Sequence, residues 1–144
     1  GRSMKTKQPI IIVEDDQDDQ EMLLDVMHQL NVTHPLVFFE ACEAAYEHLL
    51  TLDEKPFLIV CDINLPKVNG IEFKRRIDAN ERLRSLSIPF VFLTTSDNPA
   101  TVKQAFQITN LQGYFRKEHT QERIKDQIKA ILDYWSWALH PKSN

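Results

Sequence analysis

Four short strand-like runs in this chain each end on a residue type that does chemistry. Ile10-Ile11-Ile12-Val13 stops at Glu14-Asp15-Asp16, and Phe57-Leu58-Ile59-Val60-Cys61 stops at Asp62. Phe90-Val91-Phe92-Leu93 stops at Thr94, and Gly113-Tyr114-Phe115-Arg116 at Lys117. Asp62, followed by Pro66 and Asn69-Gly70, reads as the carboxyl end of an interior strand feeding a loop. Alone it could equally cap a turn. Chance supplies one or two such strand ends, since Asp, Thr and Lys are common in the loops that follow strands; four are harder to dismiss. If the fold gathers them, three carboxylates repel unless one takes a proton or a cation holds them together. Oxygen ligands with no His or Cys among them favour magnesium. Such a site suits phosphoryl transfer, in which the metal and a lysine ammonium offset charge on the phosphoryl oxygens while a carboxylate, here Asp62, is the nucleophile.

Five strands must position these residues. Ile10–Val13, Leu36–Phe39, Phe57–Cys61, Phe90–Leu93 and Gly113–Arg116 alternate with segments of helical apolar spacing. The first such segment runs from Asp18, with Met22, Leu23, Val26, Met27 and Leu30 inward. The second is Ala41–Leu50, with Ala44, Ala45 and Leu49 inward. A third starts after Gly70 and continues weakly into Glu81–Arg84. A fourth opens on the Asn98 cap and Pro99, with Val102, Ala105 and Phe106 on one face. The last is capped by Thr120, carries Ile124, Ile128, Ile131, Leu132 and Trp135 on one side, and stops at Pro141. This alternation predicts an α/β fold, a doubly wound five-stranded parallel sheet with helices on both faces. In the flavodoxin-like order 2-1-3-4-5 the first and third strands are neighbours, so their acidic ends converge, with Thr94 and Lys117 close by.

The chain has 144 residues, 42% of them hydrophobic, enough to bury one core. Gly1-Arg2-Ser3-Met4 reads as an expression scar, so residues 5–144 form the single expected domain. No apolar run approaches the roughly 18 residues of a membrane span. Cys42 and Cys61 lack metal-type spacing and read as small buried or half-buried side chains in a reducing compartment, the cytoplasm. A net charge of −4 with scattered basic residues lacks the clustered footprint of a nucleic-acid surface. The five histidines, His28, His34, His48, His119 and His140, show no ligand spacing and are expected at the surface.

The motifs together are more specific than any alone. Ile-Ile-Ile-Val-Glu14-Asp15-Asp16, Asp62-Ile-Asn64-Leu-Pro66-Lys-Val-Asn69-Gly70, Phe-Leu-Thr94-Thr95-Ser96 and Gly113-Tyr114-Phe-Arg-Lys117 resemble the receiver domain of two-component response regulators, of the stand-alone, chemotaxis-regulator-like kind. The resemblance spans nearly the whole chain. It implies that Asp62 is the phosphoacceptor, that Asp15 and Asp62 ligate magnesium directly, that Glu14 acts through metal-bound water and that Asn64 gives its backbone carbonyl. It further implies that Lys117 contacts the phosphoryl group, that Thr94 moves toward it, and that the Tyr114 rotamer follows Thr94. The family usually has proline after this lysine, often with a cis bond; here Glu118 follows, so a trans bond or a strained loop is expected.

The function expected is therefore a signalling switch rather than an enzyme with an external substrate, one that promotes its own aspartyl phosphorylation and dephosphorylation. A histidine kinase or phosphotransfer protein supplies the group, and a protein partner not named by the sequence, or a second copy of the chain, reads the result; nucleic acid and membrane are not expected partners. The rivals are an aspartyl phosphatase, which would want an acid where Asn64 stands, and a receiver-like scaffold that is never phosphorylated, which the intact acidic and Thr94 positions disfavour. The output face is expected on the helix after Asp97, the last strand and the last helix. Ile108, about 240° round from Val102, is expected to face outward. Trp137, about 200° round from Trp135, is expected to face away from the core. With Tyr114 these are the candidate partner contacts.

Overall fold

The computed structural model describes residues 7–108 and 113–137. The expression scar, the boundary after it, His140 and the Pro141 stop lie outside the described residues. Five parallel strands, β1 (Ile10–Val13), β2 (Leu36–Phe39), β3 (Leu58–Cys61), β4 (Phe90–Thr94) and β5 (Gly113–Arg116), stand in the order β2-β1-β3-β4-β5. Between and after them come α1 (Gln17–Gln29), α2 (Cys42–Leu50), α3 (Gly70–Ala79), α4 (Glu81–Leu86), α5 (Pro99–Phe106) and α6 (Gln121–Trp137). The alternation predicts the parallel sheet, and the order is the expected flavodoxin-like one.

The continuous apolar strands follow from burial on both faces, and the period of two sorts their side chains. Ile11, Val13, Ile59, Cys61, Phe90 and Phe92 point to the side covered by α2, α3, α4 and α5. Ile10, Ile12, Leu58, Val60, Val91 and Leu93 point to the side covered by α1 and α6, where Leu23, Val26, Met27, Ile124, Ile128 and Ile131 meet them. Full burial of side chains such as Ile11 or Phe92 stabilises by about 1.5–3 kcal/mol each.

Several local expectations change. The cap of α1 is Asp16, whose side chain accepts from the Asp19 N–H at 3.0 Å, so the helix starts before Asp18. The weak continuation after α3 is a separate helix, because Asn80 leaves helical geometry and caps α4 through Leu83 N–H at 3.0 Å. Ala44 faces solvent, while Ala45 and Leu49 are buried. Asn98 and Thr120 cap as expected, accepting from Ala100 and Arg123. Cys42 and Cys61 are buried, as read from the sequence. Trp135 is half-buried against the α1/α6 core.

His34 departs from the surface expectation. It is half-buried, its ring stacks on Phe57 at 4.1 Å and shares a 2.7 Å hydrogen bond with the Gln8 carbonyl, and burial lowers its pKa. His48 is half-buried against Phe39. His28 and His119 are exposed.

Candidate functional site

The site residues sit where they do because the strand ladders run one residue past each strand. Glu14 N–H donates to Phe39 C=O at 2.9 Å, Asp62 N–H to Val13 C=O at 3.0 Å, and Lys117 N–H to Thr94 C=O at 2.8 Å. Each residue is thus locked at the carboxyl end of its strand, and β1 and β3 are adjacent. Carboxylate oxygens of Glu14, Asp15 and Asp62 lie within 4.8 Å of one another. Glu14 is buried, Asp62 half-buried and Asp15 exposed, so the cluster opens outward through Asp15. A cleft of about 440 Å³, bounded by Asp15, Glu40, Cys42, Glu43, Lys67 and Val68, flanks it. Asn64 stands exposed in the loop after β3.

That loop is tied back tightly. Ile63 N–H donates to Asp62 Oδ1 at 2.7 Å, and Gly70 N–H donates to Ile63 C=O at 2.9 Å. The sequence marks Asn69-Gly70 as a turn; the structure makes Asn69 the cap of α3 and gives Gly70 a steric reason. A Cβ at Gly70 would sit 2.3 Å from the Asp62 carbonyl oxygen and 3.1 Å from Cys61 Sγ.

Lys117 reaches across from β5. Its ammonium donates to Glu14 Oε1 at 3.1 Å and to Asp19 Oδ2 at 3.3 Å. Burial alone would depress its pKa, but Glu14, Asp19 and, more weakly, Asp62 outweigh that and hold it above the ordinary value. Burial pushes the Glu14 carboxyl up, and the Lys117 charge together with a 3.1 Å bond from Asp16 N–H offsets part of the rise. Among the described residues neither Asp15 nor Asp62 has an ion-pair partner. Two adjacent carboxylates without a cation, beside a third and with only oxygen donors, fit a hard divalent ion.

The Lys117–Glu118 bond is trans, since no described peptide bond is cis. Glu118 pairs with Arg123 at 2.9 Å. The loop is held instead by Gln127 of α6, whose amide accepts from Glu118 N–H at 3.0 Å and donates to Arg116 C=O at 2.7 Å.

On the β4 side, Thr94 is fully buried and its Oγ1 accepts from Ser96 N–H at 3.2 Å. Tyr114 donates its hydroxyl to Ser96 C=O at 2.6 Å, and burial raises its pKa despite that bond. Ser96 therefore links the two through its own backbone. Ile108 is not where periodicity predicts. Helix α5 ends at Phe106, so Ile108 lies beyond it, half-buried against the core. Phe106 takes the outward position, 66% exposed and stacked on Tyr114 at 6.1 Å. Trp137 is 87% exposed.

The structure thus gathers Glu14, Asp15, Asp62 and Lys117, links Thr94 to Tyr114, and leaves Trp137 apart on α6. The sequence reading missed Asp19, Ser96 and Gln127, and it set Phe106 on one face with Val102 and Ala105, whereas Ala105 is buried and Phe106 exposed. Neither Asp19 nor Gln127 carried a signal in its spacing: Asp18 stands in the same first turn as Asp19 and is exposed.

Comparison with known proteins agrees with this geometry. The sequence profile described as the response regulator receiver domain matches residues 10–129. The probable methanogenesis regulatory protein FilR2 of Methanothrix harundinacea is 28% identical over 148 residues, covering 98% of this chain and 94% of that protein. Response regulator Rcp1 of Synechocystis sp. is 29% identical over 131 residues, covering 88% and 87%. The crystal structure of the Mn²⁺-bound form of Rcp1 superposes with a TM-score of 0.80 at 26% identity, covering 94% of this chain and 99% of that one. The phosphorylated cyanobacterial phytochrome response regulator RcpA shares the fold with a TM-score of 0.83 at 24% identity, covering 96% and 100%. With the profile spanning β1 to α6 and the acidic ends of β1 and β3 side by side, this chain belongs to the response regulator receiver domain family.

Proposed function

We propose that the chain is a single receiver domain that works as a phosphorylation-controlled switch in the cytoplasm, with Asp62 as phosphoacceptor. The observation that carries this is the convergence of Glu14, Asp15 and Asp62 beside a buried lysine. Asp15, Asp62 and the Asn64 backbone carbonyl would hold Mg²⁺, with Glu14 acting through bound water; the ion would offset charge on the phosphoryl oxygens. A histidine kinase or phosphotransfer protein is the donor: Asp62 attacks phosphorus, the bond to the donor imidazole breaks, and the imidazole leaves with a proton. Lys117 supplies a second positive charge to the group in flight. The chain assists its own modification and its hydrolysis without acting on another substrate.

Readout would start at Thr94. Moving its hydroxyl to the phosphoryl group gives up the Ser96 N–H, and the carbonyl of the same residue holds Tyr114. A ligand-biased switch of this kind requires the ring to have a second position within a few kcal/mol of this one. The face reporting the change is α5, β5 and α6, with Tyr114, Phe106 and Trp137 as apolar contacts for a protein target or a second copy. Ile108, half-buried, contributes through packing behind that face.

Incubation with Mg²⁺ and a small phosphodonor tests the reading. A labile adduct on Asp62, absent in Asp62→Asn, is expected; Asn keeps the Oδ1 acceptor for Ile63 N–H, so the fold should persist. Labelling that survives in Asp62→Asn would assign the chemistry to another carboxylate.

A further inference from the structure

The Lys117 ammonium has three N–H donors, and two of them go to carboxylates on the α1 side of the cleft. These two acceptors differ. Glu14 is buried and belongs to the acidic cluster. Asp19 lies outside that cluster, in the first turn of α1, with its side chain 39% exposed and its contact the longer of the two at 3.3 Å. Asp62 makes no hydrogen bond to Lys117 among the described residues, although its charge acts on it.

We propose that Asp19 is a positioning residue that holds the Lys117 ammonium on the α1 side of the cleft and competes for it with a phosphoryl group arriving at Asp62. This rests on the reading of Asp62 as phosphoacceptor. The order of exchange follows from burial. Releasing Glu14 would leave a buried carboxylate without its cation, whereas Asp19, once released, is solvated at little cost. Lys117 therefore keeps Glu14 and trades Asp19 for a phosphoryl oxygen. With Asp19 partly exposed and the contact long, the hold is weak, so its removal should change the rate by about two- to fivefold. The sign is acceleration, because the ammonium stabilises charge that develops during transfer. Asp19 thereby restrains modification by weak donors, while a phosphoryl group, with up to about two negative charges, still outcompetes one carboxylate.

Four proteins test this: the unaltered chain, Asp19→Asn, Asp19→Glu and Asp18→Asn. Asn at position 19 keeps the backbone N–H that the Asp16 side chain accepts. Asp18 is an exposed neighbour outside the Lys117 contact set, and its substitution removes the same formal charge. Each is incubated with Mg²⁺ and phosphoramidate, and the Asp62 adduct is followed in time by mass spectrometry. Asp19→Asn should label two- to fivefold faster, while Asp19→Glu and Asp18→Asn keep the unaltered rate. Labelling of Asp19→Asn at or below the unaltered rate overturns the inference, as does equal acceleration in Asp18→Asn, which would show a bulk charge effect. No adduct on the unaltered chain overturns the phosphoacceptor reading, and the inference with it.

Discussion

Replacing Lys117 by Met keeps the volume of the stem and deletes the charge. Lys117 and Glu14 have side chains only 6% and 4% exposed, so the change strands a buried carboxylate. Breaking a buried pair from one side costs about 3–5 kcal/mol. Two features reduce that here: Glu14 keeps its bond from Asp16 N–H, and it can take up a proton. A loss of about 2–3 kcal/mol at pH 8 is therefore expected, and about 1 kcal/mol less at pH 5. The sign follows from the Glu14 shift. Its folded pKa is raised, so its proton stabilises the fold fully below the unfolded value near 4.5, and that stability is lost as pH rises through the folded value. Without Lys117 the folded value rises further, and the loss extends over a wider range. Lys117, raised in the fold, loses its own contribution only as pH climbs through that raised value, well above this window. Urea unfolding of both proteins at pH 5 and pH 8 measures the difference, and Mg²⁺ should restore part of the stability of the variant. Equal destabilisation at both pH values would refute the buried-charge account.

Other perturbations separate the parts of the site. Asp15→Asn should weaken Mg²⁺ binding at least about tenfold, since it removes an exposed carboxylate from a cluster with few alternatives; calorimetry showing unchanged affinity would take Asp15 out of the metal site. Tyr114→Phe removes the bond to the Ser96 carbonyl and should cost about 1 kcal/mol in urea unfolding. In the same variant the beryllofluoride-induced change in amide exchange around residues 94–98 should shrink; a full response would show that Thr94 signals without the Ser96 link.

The sheet was legible because its determinants are local. Short apolar runs cut off by Glu, Asp or Thr announce the buried strands β1, β3 and β4, and their alternation with helices announces a parallel sheet. The acidic cluster was legible for the same reason, since register fixes the residue after each strand. What failed depended on where a helix stops or on contacts far apart in sequence. Ile108 was placed outward by extending a helical period that ends at Phe106, where nothing in the residue types marks the stop. The Asp19–Lys117 contact spans 98 positions and appears only after the first and fifth strands are in one sheet. His34 stacks on Phe57 from the far end of the sheet, a pairing with no signature in spacing.

The two hydrogen bonds of Gln127 give the loop after β5 a mechanical attachment. The side chain grips the backbone on both sides of Lys117, at Arg116 and at Glu118, from the second turn of α6. The backbone that carries Lys117 is therefore fastened to the helix, and a displacement of either is passed to the other. Linkage makes such an attachment run both ways: if phosphorylation alters the affinity of a partner for α6 by some factor, that partner alters the phosphorylation equilibrium by the same factor. A protein docked on α6 would thus be an effector of the aspartate as well as its reader, through one amide side chain.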